Sequence, residues 1–127
     1  MDGEATVKTN ISIDVPDLEQ GLAFYGYVFG WREKVRPFPT MAVVDADNVT
    51  ICIHGKEAGG KPTPAEELRR YERHWTPVHL DLHVSDFDGV LDRALAAGAQ
   101  VEARFEQPRK TAFCSDPFGH GFCLIEG

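Results

Sequence analysis

The stretch Asn10-Ile-Ser-Ile-Asp-Val-Pro-Asp-Leu-Glu19 recurs, in altered form, as His79-Leu-Asp-Leu-His-Val-Ser-Asp-Phe-Asp88. The two copies lie 69 positions apart, so the chain contains an internal repeat. Polar and apolar residues alternate over the first six positions of each copy, which predicts a half-buried β-strand. An aspartate then opens a helical pattern in each copy, at Asp17 and at Asp86, and aspartate is a favoured N-cap residue.

Each aspartate is followed by a pattern typical of one helix and three strands. The first helix is expected to end near Phe29, before Gly30, and the second near Ala97, before Gly98, because glycine is common just past a helix. Apolar and alternating stretches then predict strands at 32–36, 41–46, 49–54, 100–106, 111–115 and 122–126. The predicted fold class is α+β, a single domain over 1–127 with two tandem β-α-β-β-β modules, module 1 at about 8–54 and module 2 at about 78–126.

The modules are separated by a predicted linker at 55–77. It contains Gly59-Gly60-Lys61-Pro62, which indicates a flexible segment. The charged stretch Pro64–His74 predicts a short helix with Pro64 in its first turn. We interpret its arginines as a solvated helix face, the alternative being a lid that contacts an anionic substrate; they are Arg69, Arg70 and Arg73.

Composition excludes several classes of function. The 127 residues are 43% hydrophobic and 26% charged, which is ordinary for a globular protein. Thirteen Lys and Arg against twenty Asp and Glu give a net charge of −7, which argues against a nucleic-acid or anionic membrane partner. Three cysteines, none in a Cys-x-x-Cys pair, favour a reduced, cytoplasmic protein.

Several motifs resemble one family when taken in order along the chain. The paired modules, the Val-Pro-Asp-Leu-Glu, Phe-Tyr and Phe-Gly-Trp motifs within Val15–Trp31, and Asp116-Pro-Phe-Gly-His120 resemble the vicinal oxygen chelate superfamily of glyoxalases, bleomycin-resistance proteins and extradiol dioxygenases. His79-Leu-Asp-Leu and Phe122-Cys-Leu-Ile resemble its glyoxalase-like branch. The resemblance implies that each module curls into a half-barrel, with its helix outside and its inner face on a cavity. Because this fold hosts many reactions and some proteins that only bind, it does not imply one reaction.

The inner faces implied by the resemblance carry polar side chains. The alternation groups apolar residues on one face of each strand, which the resemblance implies is covered by the helices; they are Ile11, Ile13, Val15, Leu80, Leu82 and Val84. The opposite faces then carry Asn10, Ser12, Asp14, His79, Asp81 and His83. Six polar residues are more than a dry core tolerates, so we expect a wet cavity that binds a small molecule. The alternative is that these faces meet solvent or a partner subunit.

Metal-dependent relatives imply four ligand positions, which fall here on Asn10, Cys52, His79 and Cys123. In such relatives a divalent ion chelates two adjacent substrate oxygens. Only His79 is of the implied type, since cysteines replace both carboxylates. Carboxylates supply the charge that holds Fe, Mn, Ni or Mg, whereas two thiols and an imidazole suit a soft ion such as Zn²⁺. We therefore expect no cofactor, the alternative being a divalent metal on these four residues.

Two functions follow from these residues. The first is a bleomycin-resistance-like protein that binds a small molecule in the cavity without a catalytic metal. The alternative is a metal-dependent lyase, isomerase or dioxygenase acting on a vicinal-oxygen substrate, with His79 central and Asp81 beside it as a catalytic pair. A cysteine nucleophile beside His79, at Cys52 or Cys123, is less favoured because buried free cysteines are mostly inert.

Aromatic residues and a partner complete the expectations. Three locations stay equally open for the large aromatic residues, namely a cavity wall, the core and a dimer interface; these residues are Trp31, Phe38, Trp75 and Phe113. The stretch Asp116–Gly121 predicts a tight turn that leaves His120 exposed. Superfamily members commonly dimerise and share modules, so we expect a homodimer, with intrachain pairing of the modules as the alternative. A third function, a structural or regulatory dimer with a vestigial cavity, stays open.

Overall fold

A computed structural model describes residues 6–127 and confirms the predicted repeat of β-α-β-β-β. The elements are β1 (Asn10–Val15), α1 (Leu18–Phe29), β2 (Arg32–Phe38), β3 (Met41–Ala46), β4 (Val49–Gly55), β5 (Leu80–Val84), α2 (Phe87–Ala96), β6 (Gln100–Phe105), β7 (Thr111–Ser115) and β8 (Gly121–Glu126). Within the described residues, no helix has the length and hydropathy that a membrane crossing requires.

Each module forms its own four-stranded sheet. The strand orders are β1-β4-β3-β2 and β5-β8-β7-β6. The first and last strands of each module pair in parallel, and the remaining neighbours pair in antiparallel fashion. Residues at the start of each module therefore lie beside residues near its end.

Helix caps confirm the predicted helix starts. The carboxylate of Asp17 accepts the backbone N–H of Gln20 at 3.0 Å, and that of Asp86 accepts the N–H of Gly89 at 3.2 Å. α1 ends as predicted at Gly30, whose φ of 75° is left-handed. α2 ends one residue earlier than predicted.

The modules pack against each other through their helix-bearing faces. Ring centroids of Phe24 and Phe118 lie 6.1 Å apart, and those of Phe29 and Phe122 lie 5.9 Å apart. Buried residues of both modules belong to a single hydrophobic cluster. The opposite, concave face of each sheet carries exposed aromatic side chains, with Phe38 63% exposed in module 1 and Phe113 43% exposed in module 2.

The predicted helix at 64–74 is wrong. This stretch is irregular, and Arg69 exchanges backbone hydrogen bonds of 2.7 Å with Gly59 and Gly60. Those bonds satisfy main-chain groups that a helix would otherwise pair, and proline at positions 62 and 64 has no N–H to add. We call residues 59–76 the strap, because they cross from one module to the other.

Candidate functional site

The concave face of module 2 forms a cavity. Asp81 lies directly beside Cys123 in the parallel β5–β8 pair, and Cys123 lies beside Phe113 in the β7–β8 pair. Directly paired residues share one face of a sheet, so these three side chains converge. The module 2 cavity measures about 390 Å³ and is lined by Arg73, Trp75, Thr76, His79, Asp81, Glu102, Thr111, Phe113, Cys114, Gly121, Phe122, Cys123 and Ile125.

Three potential ligand residues meet at one end of this cavity. The His79 Nε2 lies 3.1 Å from Asp81 Oδ1, and one ligand atom each of His79, Asp81 and Cys123 lies within 4.8 Å of the others. We call these three residues the donor cluster. In the described part of the chain, no other group of three His, Cys, Asp or Glu side chains comes this close.

The cysteine of the donor cluster, Cys123, is not an activated thiol. Burial raises the pKa of the Cys123 thiol to about 11, and the Asp81 carboxylate beside it adds to the rise. A nucleophilic cysteine has a lowered pKa, because a cation or a helix N-terminus stabilises its thiolate. At neutral pH Cys123 is therefore protonated, and its environment disfavours the nucleophile interpretation.

The concave face of module 1 has a different set of side chains. Ser12 lies beside Cys52, which is 8% exposed, and His54 Nε2 lies 3.3 Å from Ser12 Oγ. Asn10 is exposed at the start of β1. Val35 shares this face through its pairing with Val43 and is 54% exposed. Module 1 thus presents a mixed face, on which exposed Val35 lies with the polar side chains of Asn10, Ser12 and His54.

A second cavity, the seam cavity, lies between the modules. It measures about 450 Å³ and contains Ser12, Asp14 and His79, together with Thr76 and Val78 next to them. A third cavity of about 360 Å³ runs along β5 and holds His83, Asp81 and the turn residues Asp47 and Asn48.

The predicted inward-facing residues are therefore divided among three cavities. Ser12 and Asp14 share the seam cavity with His79, and His83 lies with Asp81 in the third. Among the described residues, Asn10 and Cys52 line none of the three. Within one chain, the four metal positions implied by the resemblance do not come together as one site.

The strap holds both modules through arginine side chains. Arg69 Nε donates to Asp14 Oδ2 at 2.8 Å, and Arg73 forms two hydrogen bonds with Glu102, at 2.6 and 3.1 Å. The guanidinium of Arg73 lies against the start of β8. It is so close that a Cβ added to Gly121 would come within 2.6 Å of Arg73 Nη2. Hydrogen bonding from Arg73 lowers the pKa of Glu102. Sequence reasoning missed both ion pairs, since the partners are 55 and 29 residues away.

The β7–β8 turn joins module 2 to module 1. Asp116 is 5% exposed; its Oδ1 accepts the N–H groups of Phe118 and His120 at 2.9 and 2.8 Å, and its Oδ2 accepts the hydroxyl of Tyr25. Burial, together with the charge of Asp116, raises the pKa of Tyr25 well above its ordinary value. The expected exposure of His120 is wrong, since its Nε2 lies 2.6 Å from the carbonyl oxygen of Asp14 and the residue is half-buried.

The four candidate aromatic residues divide between core and surface. Trp31 is buried in the core, stacked 5.1 Å from Tyr25. Phe38 is exposed on the concave face of module 1. Trp75 and Phe113 line the module 2 cavity, and Trp75 is 77% exposed. The structure therefore supplies two aromatic walls to that cavity.

Comparisons with known proteins agree with this architecture. The family model described as a glyoxalase-like domain matches residues 10–125. The fosfomycin resistance protein FosX from Mesorhizobium loti is 18% identical, with a TM-score of 0.71 over 98% of this chain and 94% of that one. A lactoylglutathione lyase from Agrobacterium tumefaciens is 17% identical, with a TM-score of 0.64 over 98% and 96%.

A further solved structure contains a metal. It is a mutant FosX from Listeria monocytogenes complexed with Mn(II) and 1S,2S-dihydroxypropylphosphonic acid. It is 18% identical to this chain, with a TM-score of 0.69 over 96% of this chain and 90% of that one. At these identities the likeness to the solved structures concerns the fold.

Proposed function

Because the chain belongs to the family of glyoxalase-like domains, we propose that it binds a small molecule in the module 2 cavity. The observation that supports this proposal is the convergence of aromatic walls and the donor cluster on one concave space. A volume of about 390 Å³ lies within the range of small-molecule sites, which combine apolar walls with a few polar groups.

The cavity favours a ligand with one flat apolar part and one polar end. Trp75 and Phe113 offer ring faces to an aromatic or apolar body. His79 and Asp81 lie at the polar end, where they offer an imidazole and a carboxylate for hydrogen bonds. The Mn(II) complex of FosX contains a diol, which is consistent with an oxygen-bearing ligand for this fold.

We further propose that the protein forms a homodimer in which a second copy covers each cavity. Both concave faces expose large apolar side chains, with Val35 and Phe38 in module 1 and Phe105 and Phe113 in module 2. Such patches on the surface of a single chain mark interaction sites. Pairing module 1 of one copy with module 2 of the other buries both faces at once and closes into a symmetric dimer.

Fluorescence tests the binding proposal, because the chain has two tryptophans and only Trp75 lines the module 2 cavity. The probes are catechol, the hemithioacetal of methylglyoxal and glutathione, and bleomycin, one for each class in the resemblance. We expect at least one probe to change tryptophan emission in the wild type and not in Trp75→Phe. NMR should place its shifts at Phe113 and Cys123. If no probe shifts these amides at millimolar concentration, the binding proposal fails.

Sedimentation tests the dimer independently of any ligand. We expect wild-type protein to sediment as a dimer and Phe38→Asp, which places a charge on the module 1 face, as a monomer. Tyr27→Asp, on the exposed side of α1, is the control and should stay dimeric. A monomeric wild type at micromolar concentration contradicts the proposal.

A second candidate function is a metal-dependent lyase, isomerase or dioxygenase acting on a vicinal-oxygen substrate. The proximity of His79, Asp81 and Cys123 favours it, because such a group can hold a metal next to the cavity. A bound divalent ion would polarise the substrate's oxygens. Turnover on an identified substrate that is unchanged in His79→Ala contradicts a central role for His79.

A further inference from the structure

The last residues of the strap form one side of the module 2 cavity. Arg73, Trp75 and Thr76 line that cavity, and Thr76 also lines the seam cavity. Trp75 is 77% exposed, so its indole buries little apolar surface that would hold it in place. The position of this aromatic wall therefore depends on the backbone next to it.

The middle of the strap is fastened independently of the cavity. Arg69 Nε donates to Asp14 Oδ2 at 2.8 Å, and the hydroxyl of Tyr71 donates to the carbonyl oxygen of Lys56 at 2.5 Å. The carbonyl group of Tyr71 also lies against the β7–β8 turn, so close to Gly119 that an added Cβ would collide with it. These contacts anchor the strap without involving Arg73.

Residues 74–76 have no polar attachment to the body of the protein. Among the described residues, none of the three forms a hydrogen bond or an ion pair with either sheet. The side-chain hydrogen bonds of His74 and Thr76 reach no further than two residues along the chain. Trp75, which lies between them, is therefore held through the preceding residue, Arg73.

The side chain of Arg73 connects this end of the strap to two strands of module 2. Nε and Nη2 donate to the two carboxylate oxygens of Glu102 on β6, and Nη1 donates to the carbonyl oxygen of His74 at 2.5 Å. The guanidinium also lies against Gly121 of β8, where only a residue without a Cβ leaves it room. Since β7 lies between β6 and β8, the guanidinium spans β7. A two-bond pair of arginine and carboxylate fixes direction as well as distance.

We propose that the ion pair of Arg73 with Glu102 is a latch that holds residues 73–76 beside the module 2 cavity as a lid, and that Arg73 is the positioning residue for Trp75. When the latch opens, the contacts of Tyr71 keep the strap attached, so the lid moves while its anchor stays. The effect of the lid on a ligand rests on the proposed function, whereas the lid itself does not.

The exposure of the latch sets the size of its effect. The side chains of Arg73 and Glu102 are 31% and 38% exposed, and ion pairs of this kind are weak. The latch therefore shifts the balance between closed and open lid by about twofold to fivefold. A lid with so small a bias opens readily, which lets a ligand enter and leave.

Fluorine NMR tests the lid without a ligand. Full-length protein labelled with 5-fluorotryptophan gives one resonance from each of its two tryptophans, and Trp75→Phe assigns them. We expect the Trp75 resonance of the wild type to be displaced from that of free 5-fluorotryptophan. In Arg73→Gln and in Glu102→Gln it should move towards the free position and sharpen, because the indole samples more conformations.

Two further variants separate the ion pair from the separate effects of its charges. Arg73→Gln combined with Glu102→Gln should move the Trp75 resonance no further than either single variant, because all three lack the same ion pair. Gly121→Ala keeps both charges and displaces the guanidinium, since the added Cβ would come within 2.6 Å of Nη2. It should move the resonance in the same direction.

The control is Arg70→Gln, which removes an arginine of the same strap that has no ion pair among residues 6–127. Its Trp75 resonance should stay at the wild-type position. Trp31 is buried in the core, so an unchanged Trp31 resonance verifies that each variant is folded.

Stopped-flow fluorescence with the three probes of the binding test measures what the lid does to a ligand. We expect the dissociation rate to rise about twofold to fivefold in Arg73→Gln, with a smaller change in the association rate. Arg73→Lys, which keeps the charge but not the two-bond geometry, should lie between wild type and Arg73→Gln. If no probe binds, the proposed function fails, and the Trp75 resonance still decides whether the lid exists.

Three results would overturn the proposal. The first is a wild-type Trp75 resonance that coincides with that of free 5-fluorotryptophan. The second is a resonance that stays in place in Arg73→Gln, Glu102→Gln and Gly121→Ala alike. The third is a double variant whose shift equals the sum of the two single shifts, because the two side chains would then act independently.

Discussion

The parallel strand pairs of the two modules carry a cysteine at the same place but different partners around it. In module 1, Ser12 lies beside Cys52, and in module 2, Asp81 lies beside Cys123. The backbone arrangement is the same, so the difference in chemistry comes from side-chain identity alone. The comparison teaches that the repeat supplies the same strand geometry twice, while among the described residues the donor cluster is present once.

The hairpin turns of the two modules differ in length, although both follow an aspartate at the same distance from the cysteine. Asp45 and Asp116 each lie seven residues before the cysteine of the last strand. Asp45 is exposed beside a short turn, whereas Asp116 is 5% exposed in a longer turn that reaches Tyr25 of module 1. The longer turn converts a surface carboxylate into a buried polar link between the modules.

The largest expected change is to give module 1 the missing side chains. Asn10→His combined with Ser12→Asp places His and Asp at the strand positions that His79 and Asp81 occupy in module 2. Because the β1–β4 register matches that of β5–β8, we expect the double variant to bind about one more Zn²⁺ per chain than the wild type. Elemental analysis measures the Zn²⁺ content per chain, and adding Cys52→Ser to the double variant should remove the additional ion. A folded double variant that binds no more Zn²⁺ than the wild type would show that register and donor type are insufficient.

Breaking the link between modules should give the largest loss of stability. Tyr25→Phe removes a buried hydroxyl and leaves the Asp116 carboxylate short of one partner, which costs about 1–3 kcal/mol of the free energy of unfolding. Urea denaturation measures the loss. The control is Tyr27→Phe on the exposed side of the same helix, expected within about 0.5 kcal/mol of wild type. Equal stability of the two variants would mean that the link adds nothing.

The same link predicts a loss of stability in alkali. The pKa of Tyr25 is raised in the folded protein above its ordinary value of 10.0, because of burial and then the charge of Asp116. A tyrosine with a raised pKa stabilises the fold fully below pH 10 and loses that contribution as the pH rises further, by up to about 1.4 kcal/mol per pH unit. Wild type should therefore lose stability more steeply above pH 10 than Tyr25→Phe, and parallel curves would contradict this.

The strap attaches to the modules by weaker ion pairs. Arg69 pairs with Asp14 of module 1, and Arg73 pairs with Glu102 of module 2, with partly exposed side chains in both cases. Such pairs contribute about 0.2–1 kcal/mol, so Arg69→Gln and Arg73→Gln should leave global stability nearly unchanged. We expect chymotrypsin to cleave the strap faster in either variant. The control is Arg70→Gln, which removes an arginine with no ion pair among residues 6–127. Chymotrypsin should cleave its strap at the wild-type rate.

The smallest expected effect is the acid dependence of the module 2 attachment. The pKa of Glu102 is lowered by its hydrogen bonds from Arg73. A lowered pKa means that the stabilisation is present above the ordinary value of 4.5 and is lost as the pH falls through the folded value. The difference in stability between wild type and Arg73→Gln should therefore shrink below pH 4.5, to within the error of urea titrations. A constant difference would assign the effect of Arg73 to packing.

Predictions from the sequence held where structure is local. The strands at 41–46 and 111–115 end where predicted, and Asp17 and Asp86 cap their helices. Alternation also indicated that polar side chains follow one face of β1 and of β5. It failed at 64–74, where the backbone of Arg69 pairs with Gly59 and Gly60 in place of a helix. Hydrophobic periodicity cannot predict these backbone hydrogen bonds, because they depend on where the chain reverses direction between residues 60 and 69.

The sequence by itself determined the repeat, the order of its elements and the face of each strand that carries polar residues, because those follow from periodicity and capping over a few residues. Only the tertiary structure decided that the modules pack by their helix-bearing faces, which leaves Cys52 out of the two cavities that His79 lines and buries Asp116 against Tyr25. The physical reason is that burial and ion pairing join residues that are far apart in the chain. Several faces are apolar, and the free energy of packing the whole core decides which of them come together.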